Sequence, residues 1–322
     1  MLKIITSIIE KYLLPITLII LLSIPLLHML TDTKTSNFPD DFLGRDYLVS
    51  KVNGFRYFVI KDRVYEQMLS DTKGWFMLTD QTSMNNYQNS DLFSPEELEY
   101  VGNKLSYLCD FTTKYDIDLI FIVPPNKNTI YPEYLPTEII KLNQKSRLDQ
   151  VIEIWKETDR CNMLDLRKVL IESKSFSQLY FSTDTHWNDN GVFIAHKELT
   201  KILAQKYPSV HEPSLDDYIV EDKKYRGDLI GRNFGQINTS EIAPFYSPIA
   251  DTGYFLITSV GVWGLEVNES YNVNADLPSV IVYRDSFFTS WVPFLAQTFR
   301  EAHYYWTYVI DPNRIAGQDP DV

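Results

Sequence analysis

Residues 12–30 (YLLPITLIILLSIPLLHML) contain no Asp, Glu, Lys or Arg, and a run of that length constrains the whole chain. At a helical rise of about 1.5 Å per residue it matches the hydrocarbon thickness of a bilayer. Pro15 and Pro25 disfavour a buried soluble helix but are tolerated in a spanning one. The predicted organisation follows: a short N-terminus and transmembrane anchor over 1–30, a polar linker over 31–45 with Pro39 and Gly44, and one domain over 46–322. Lys3 and Lys11 precede the span, while Asp32, Asp40 and Asp41 follow it. The positive-inside bias then makes this a single-pass protein of the cytoplasmic (inner) membrane, with its domain on the extracytoplasmic, periplasmic side. A cleaved signal peptide would end in a small-x-small site, and LLHMLT offers none, so the anchor is expected to stay.

The domain reads as α/β. Ser94-Pro95-Glu96-Glu97 opens a helix expected to reach Lys114, with Ser as cap and Pro at the first position. The apolar run 117–127 (IDLIFIVPPNK) has the composition of a buried parallel strand, as do 162–166 and 279–283. Helical patterns over 143–157, 167–173, 191–205 and 287–299 alternate with these runs. Together they predict a parallel sheet flanked by helices. Residues 207–275 read as irregular, with short β-like pieces such as 253–263. Thirty basic residues stand against 43 acidic, a net charge of −13 with no basic run, which excludes nucleic acid as a partner. No glycine-rich phosphate loop is present, so nucleotide chemistry has no support. Cys109 and Cys161 are too few for a disulfide scaffold or a structural zinc. They read as buried small hydrophobes sooner than as one bridge.

The chemistry concentrates in two segments. Ser286 stands between a buried strand and a helix, where sites of open α/β folds form and where free N–H groups can stabilise an oxyanion. A helix cap is the plainer reading of that serine. Asp184-Thr185-His186 places an acid and an imidazole two residues apart, on one side of an extended segment. The acid could orient the ring, and the ring could take a proton from serine. A capping turn is the alternative reading. Of five histidines, only His186 is read as combining a nearby acid with a loop. Asp184, His186 and Asp189 are a weak candidate metal set, since no second histidine has the helical spacing such sites use, and no metal is expected.

Several segments, in order, resemble the AlgX/AlgJ-type SGNH-hydrolase-like proteins, which O-acetylate exopolysaccharides outside the cytoplasmic membrane. They are GWFMLTD (74–80), LFSPEEL (92–98), IFIVPPNKNTIYPEYLP (120–136), MLDLRKVL (163–170), LYFSTDTHWNDNGVFIAHKEL (179–199) and YRDSFFTSWVPFLAQTFREAHYYW (283–306). The resemblance implies an SGNH-hydrolase-like fold with a circularly permuted motif order, because the Asp/His block precedes the Ser block. It implies Ser286 as nucleophile, His186 as general base and acid, and Asp184 as its orienting partner. The N–H of Ser286 and Asn126 are the candidate oxyanion donors. Trp187, Tyr180, Arg284 and Lys127 are the candidate substrate contacts, Arg284 standing where the family carries glycine. A further strand is implied beyond residue 322, so that the chain given would be truncated.

The implied activity is acetyl transfer to a polysaccharide hydroxyl through an acyl-serine. A membrane-bound O-acyltransferase partner would supply acetyl groups, with no soluble cofactor. The same three residues would equally serve a carbohydrate esterase, and a non-catalytic assembly or polysaccharide-binding subunit is the rival of another class.

Overall fold

The structure, a computed structural model, describes residues 45–322 apart from 66, 72, 159–160, 235–238, 250–252 and 262–263, together with positions 19 and 23. Apart from those two positions, the expected anchor lies outside the described residues, as does the expected linker up to residue 44. Among the described residues no helix is long and apolar enough to cross a membrane. The chain divides into two compact units, described residues 45–63 with 230–234, and 64–229 with 239–322. The smaller unit holds α1 (Arg45–Phe55) and a π turn, Arg56–Ile60, that continues it. Within it Asn53 Nδ2 donates to the Asn233 carbonyl at 2.9 Å, and Tyr57 packs on Phe234 with ring centroids 5.5 Å apart.

The larger unit begins with an antiparallel meander, β1 (Val64–Tyr65), β2 (Met68–Ser70) and β3 (Phe76–Leu78). Asp80 caps α2 (Gln81–Gln88) by accepting from the Ser83 N–H at 2.7 Å. The predicted start of α3 (Pro95–Lys114) is realised as a capping box. Ser94 Oγ accepts from the Glu97 N–H at 3.2 Å, and the Glu97 carboxylate accepts from the Ser94 N–H at 2.9 Å. Then follow β4 (Ile120–Val123), α4 (Lys127–Ile130), α5 (Arg147–Thr158), β5 (Asn162–Asp165), α6 (Arg167–Ser173) and α7 (Asp189–Leu203). Next come β6 (Tyr218–Tyr225), α8 (Asp228–Phe234), of which residues 230–234 belong to the smaller unit, β7 (Glu241–Pro248), β8 (Tyr254–Gly261) and β9 (Gly264–Asn272). β10 (Ser279–Arg284), α9 (Val292–Thr298), β11 (Glu301–Trp306) and α10 (Pro312–Gln318) complete the order.

The single parallel sheet expected from the sequence is replaced by smaller ones. β4 pairs parallel with β5, and β10 with β11, while β11 is flanked on its other side by antiparallel β9 and then β8. β6 and β7 form a separate antiparallel pair with Tyr218 opposite Pro248. The reason lies in residues 207–275. This stretch, irregular as read from the sequence, supplies four strands, and sequence neighbours close antiparallel pairs without a crossover. β4 and β10 do not pair directly. Ser279 and Ile281 of β10 instead exchange backbone hydrogen bonds of 3.1 Å with Val322, while the Asp118 N–H donates to the Asp321 carbonyl at 2.9 Å.

The core lies where these elements meet α7 and α9. Val192, Ala195, Leu199 and Leu203 recur at helical spacing and bury one face of α7 against Trp187, Trp291 and Phe294. Cys109 and Cys161 are joined as a disulfide with their Cα atoms 6.0 Å apart, tying α3 to the start of β5. The reading of two separate buried thiols is thereby corrected; the signal for pairing lay in three dimensions, not in the spacing.

Candidate active site

Asp184, His186 and Ser286 form one hydrogen-bonded row. The His186 ring joins Asp184 Oδ1 through Nδ1 at 2.7 Å and Ser286 Oγ through Nε2 at 2.8 Å, across 100 residues of chain. Because the carboxylate can only accept, Nδ1 carries the proton, and Nε2 is left to accept from the serine hydroxyl. The edge of Phe287 abuts the His186 ring with centroids 4.9 Å apart.

Ser286 owes its position to the joint between β10 and a 3₁₀ turn, Ser286–Ser290. Asp285 caps that turn, its carboxylate accepting from the Phe287 N–H at 2.9 Å. Arg284 is 5% exposed; its guanidinium lies 4.5 Å over the Trp306 ring and donates to the Asp285 carbonyl and to Thr289 Oγ1. Arg284 therefore braces the turn rather than facing a substrate.

Residues 181–186 make no regular element, so their backbone groups need other partners. Lys127, 3% exposed, donates from Nζ to the carbonyls of Phe181, Ser182 and Asp184. Burial lowers its pKa to about 8, against the opposing charges of Asp184, Glu241 and Asp228. Glu241 takes the N–H groups of Ser182 and Thr183 at 2.8 and 2.7 Å. Asp228 takes the N–H of Thr185 at 2.8 Å and its hydroxyl at 3.1 Å. Asp184 Oδ2 accepts from Tyr225 OH and from the Asp228 N–H, both at 2.8 Å. Burial alone would raise the Asp184 pKa. The hydrogen bond and charge of His186, with the N–H groups of Asp228 and His186, outweigh it and hold the carboxyl well below the usual range. Gly227 passes so close to this segment that a Cβ on it would lie 2.1 Å from the Thr183 carbonyl oxygen.

Three expected substrate contacts lie elsewhere. Trp187 and Tyr180 are 0% exposed; the indole N–H donates to the Phe287 carbonyl at 2.9 Å, and the Tyr180 hydroxyl to the Pro125 carbonyl at 2.5 Å. Both are core residues, because each polar tip finds a backbone acceptor and leaves its ring free to pack. Lys127, as described, is a buried clamp. Asn126 precedes α4 and lines a cavity with Phe93 and Phe121, and its side chain donates no hydrogen bond among the described residues. Asp189 is turned to the Tyr246 N–H at 2.8 Å, so the expected metal set loses it. Asp184, His186 and Asp228 bring ligand atoms within 4.8 Å of one another, but each of these side chains is already engaged in the hydrogen bonds above. His303 also has acids beside it, Glu301 at 2.9 Å and Glu269 at 3.5 Å, so His186 is not alone in that respect. Sequence reasoning missed Tyr225, Gly227, Asp228 and Glu241. All four come from the stretch read as irregular, where no spacing linked them to Asp184.

The family model described as "SGNH hydrolase-like domain, acetyltransferase AlgX" matches residues 73–248, taking in Asp184 and His186 and stopping short of Ser286. A protein of Pseudomonas fluorescens described as probable alginate O-acetylase AlgJ is 32% identical over 117 residues, 35% of this chain and 29% of that one. Its counterpart in Pseudomonas syringae pv. tomato is 26% identical over 153 residues, 43% of this chain and 38% of that one. The chain thus matches well under half the length of these relatives. Among solved structures, Bacillus cereus PatB1 superposes with a TM-score of 0.55 at 19% identity, covering 74% of this chain and 86% of that one. A DHHW family protein from Eubacterium siraeum gives 0.53 at 19% identity, with 68% and 80% covered. These two show the fold alone. The family model spans more than half of the sequence, and the chain belongs to the AlgX family of SGNH hydrolase-like domains.

Proposed function

We propose that the chain is an extracytoplasmic O-acetyltransferase, held to the membrane by residues 12–30, that acetylates a polysaccharide through Ser286. The observation that carries this reading is the row Asp184–His186–Ser286, with hydrogen bonds of 2.7 and 2.8 Å. As Ser286 Oγ attacks an acetyl carbonyl, His186 Nε2 takes the hydroxyl proton, and Asp184 stabilises the imidazolium without becoming protonated. The proton passes to the departing group, leaving acetyl-serine. A sugar hydroxyl then gives its proton to Nε2 as its oxygen attacks the ester, and Ser286 recovers the proton when it leaves. The relatives described as alginate O-acetylases support acetyl transfer and a polysaccharide acceptor. The donor in this reading is a membrane-bound O-acyltransferase partner, and no soluble cofactor is required.

The test is turnover of 4-nitrophenyl acetate, with intact mass, for the wild type and for Ser286→Ala. Wild-type turnover with an added acetyl group, both lost in the variant, is the expected outcome. Equal turnover in the variant, or none in a folded wild type, would remove the reading. Oligosaccharide acceptors added to the acetylated enzyme then separate transfer from hydrolysis.

A further inference from the structure

The small unit reverses the polarity expected of a packed helix. Ser50, Asn53 and Gly54, at i, i+3 and i+4 of α1, form its buried stripe, and none of them is an apolar side chain. Ser50 Oγ donates to the Tyr47 carbonyl at 2.8 Å, and the Asn53 amide is held by the Asn233 carbonyl. The apolar residues point outward instead. Val52, Phe55 and Val59 recur at i, i+3 and i+7 and are 58%, 56% and 62% exposed, and Tyr47 and Phe58 are exposed as well. A helix that only closes its own core turns such a stripe inward, so an outward apolar face of this kind marks something that covers it.

Charge and chain position identify the cover. Residues 45–63 hold five Lys and Arg against two Asp, whereas the whole chain carries a net charge of −13. A positive segment on an acidic protein complements an anionic surface. It disfavours a second copy, whose identical face would bring like charges together. The proposed anchor ends at residue 30, and residues 31–44 can span at most about 50 Å, so α1 begins within reach of the bilayer. With 11 residues in α1 and 5 in its π turn, the run is too short to cross a membrane. Lying in the interface requires only an apolar face flanked by basic residues.

We infer that α1 and its π turn lie on an anionic phospholipid surface with Val52, Phe55 and Val59 among the acyl chains, an inference that goes beyond acetyl transfer and rests on the anchor at residues 12–30. The acetyl donor in the proposed reaction is itself membrane-bound, and this contact keeps the start of the domain at the surface where that donor lies.

The experiment reads depth on the full chain, reconstituted in vesicles of phosphatidylcholine with about 30% phosphatidylglycerol. Because Cys109 and Cys161 are joined, an added cysteine is the only free thiol to carry an environment-sensitive dye. Val59→Cys is the probe, and Lys168→Cys, at an exposed position of α6 in the larger unit, is the control. Lipid bearing a nitroxide at a depth of roughly 5–10 Å should quench the dye on Val59→Cys at least about twofold and leave that on Lys168→Cys unchanged. Melting temperature is the fold control, and Phe55→Cys, on the same stripe, decides if Val59→Cys does not fold. An unquenched probe, or equal quenching at both sites, would overturn the inference. So would a probe shielded from iodide but not quenched by lipid, its shielding lost as the protein is diluted in lipid, which assigns the face to a second copy. Vesicle flotation keeps this inference apart from the anchor. A chain that floats with an unquenched probe loses the interfacial helix alone, and a chain that does not float loses both.

Discussion

Asp184 accepts four hydrogen bonds on two oxygens, from the N–H and ring of His186, the Tyr225 hydroxyl and the Asp228 N–H. An amide in its place would have to turn a donor toward one of those donors, and would favour the wrong ring tautomer. Asp184→Asn is therefore expected to lower kcat about 10⁴-fold in ester turnover, with an unaltered fold. Tyr225→Phe removes one hydrogen bond to a charged group, about 1.5 kcal/mol or more, and should lower kcat roughly tenfold while KM holds. A KM change of that size with constant kcat would instead place Tyr225 against the substrate. The Asp-x-His pair was visible as a candidate in residue type and short spacing, whereas Ser286, 100 residues on and read more plainly as a helix cap, was singled out only by the family resemblance. Tyr225 and Glu241 were not legible, because their roles depend on a hairpin that folds back over residues 181–184.

Elements were legible in proportion to how locally they are determined. The start of α3 follows from Ser94, Pro95 and Glu97, which act within one turn. α10 carries a comparable signal, Asp311 before Pro312, with the aspartate accepting from the Asn313 N–H at 3.0 Å. β6 to β9 are set by pairing across the sheet, and their alternation is too mixed to announce them. The bridge between Cys109 and Cys161, 52 residues apart, ties α3 to β5. By the chain-entropy account, closing a loop of that length stabilises the fold by about 4 kcal/mol. The double substitution of both cysteines by serine should therefore lower the urea midpoint with little change in slope, and a reductant should do the same to wild type. An unaltered midpoint would mean that packing alone holds α3.

At the scale of the whole molecule, two buried groups set the acid response in opposite directions. His196 accepts from the Trp291 N–H at Nδ1, and burial lowers its pKa to about 3. As pH falls from about 6.5 toward 3, the unfolded chain takes a proton at His196 that the fold refuses, and stability is lost at about 1.4 kcal/mol per pH unit. Burial raises Asp189 to about 6, so between about 6 and 4 the fold takes a proton there before the unfolded chain does, and stability is gained. The two trends offset each other. Wild-type melting temperature should stay nearly level from pH 6 to 4 and drop steeply below, where protonation of Asp184 joins the loss. Asp189→Asn should begin falling at pH 6, and a level profile in that variant would refute the assignment. The separation of the row along the chain has a consequence for synthesis. The acid and base emerge 100 residues before the serine, so on the proposed mechanism a polypeptide stopped anywhere between them holds a proton acceptor with nothing to activate. Reactivity then arrives only when β10 docks, and a nascent or prematurely terminated product is chemically silent.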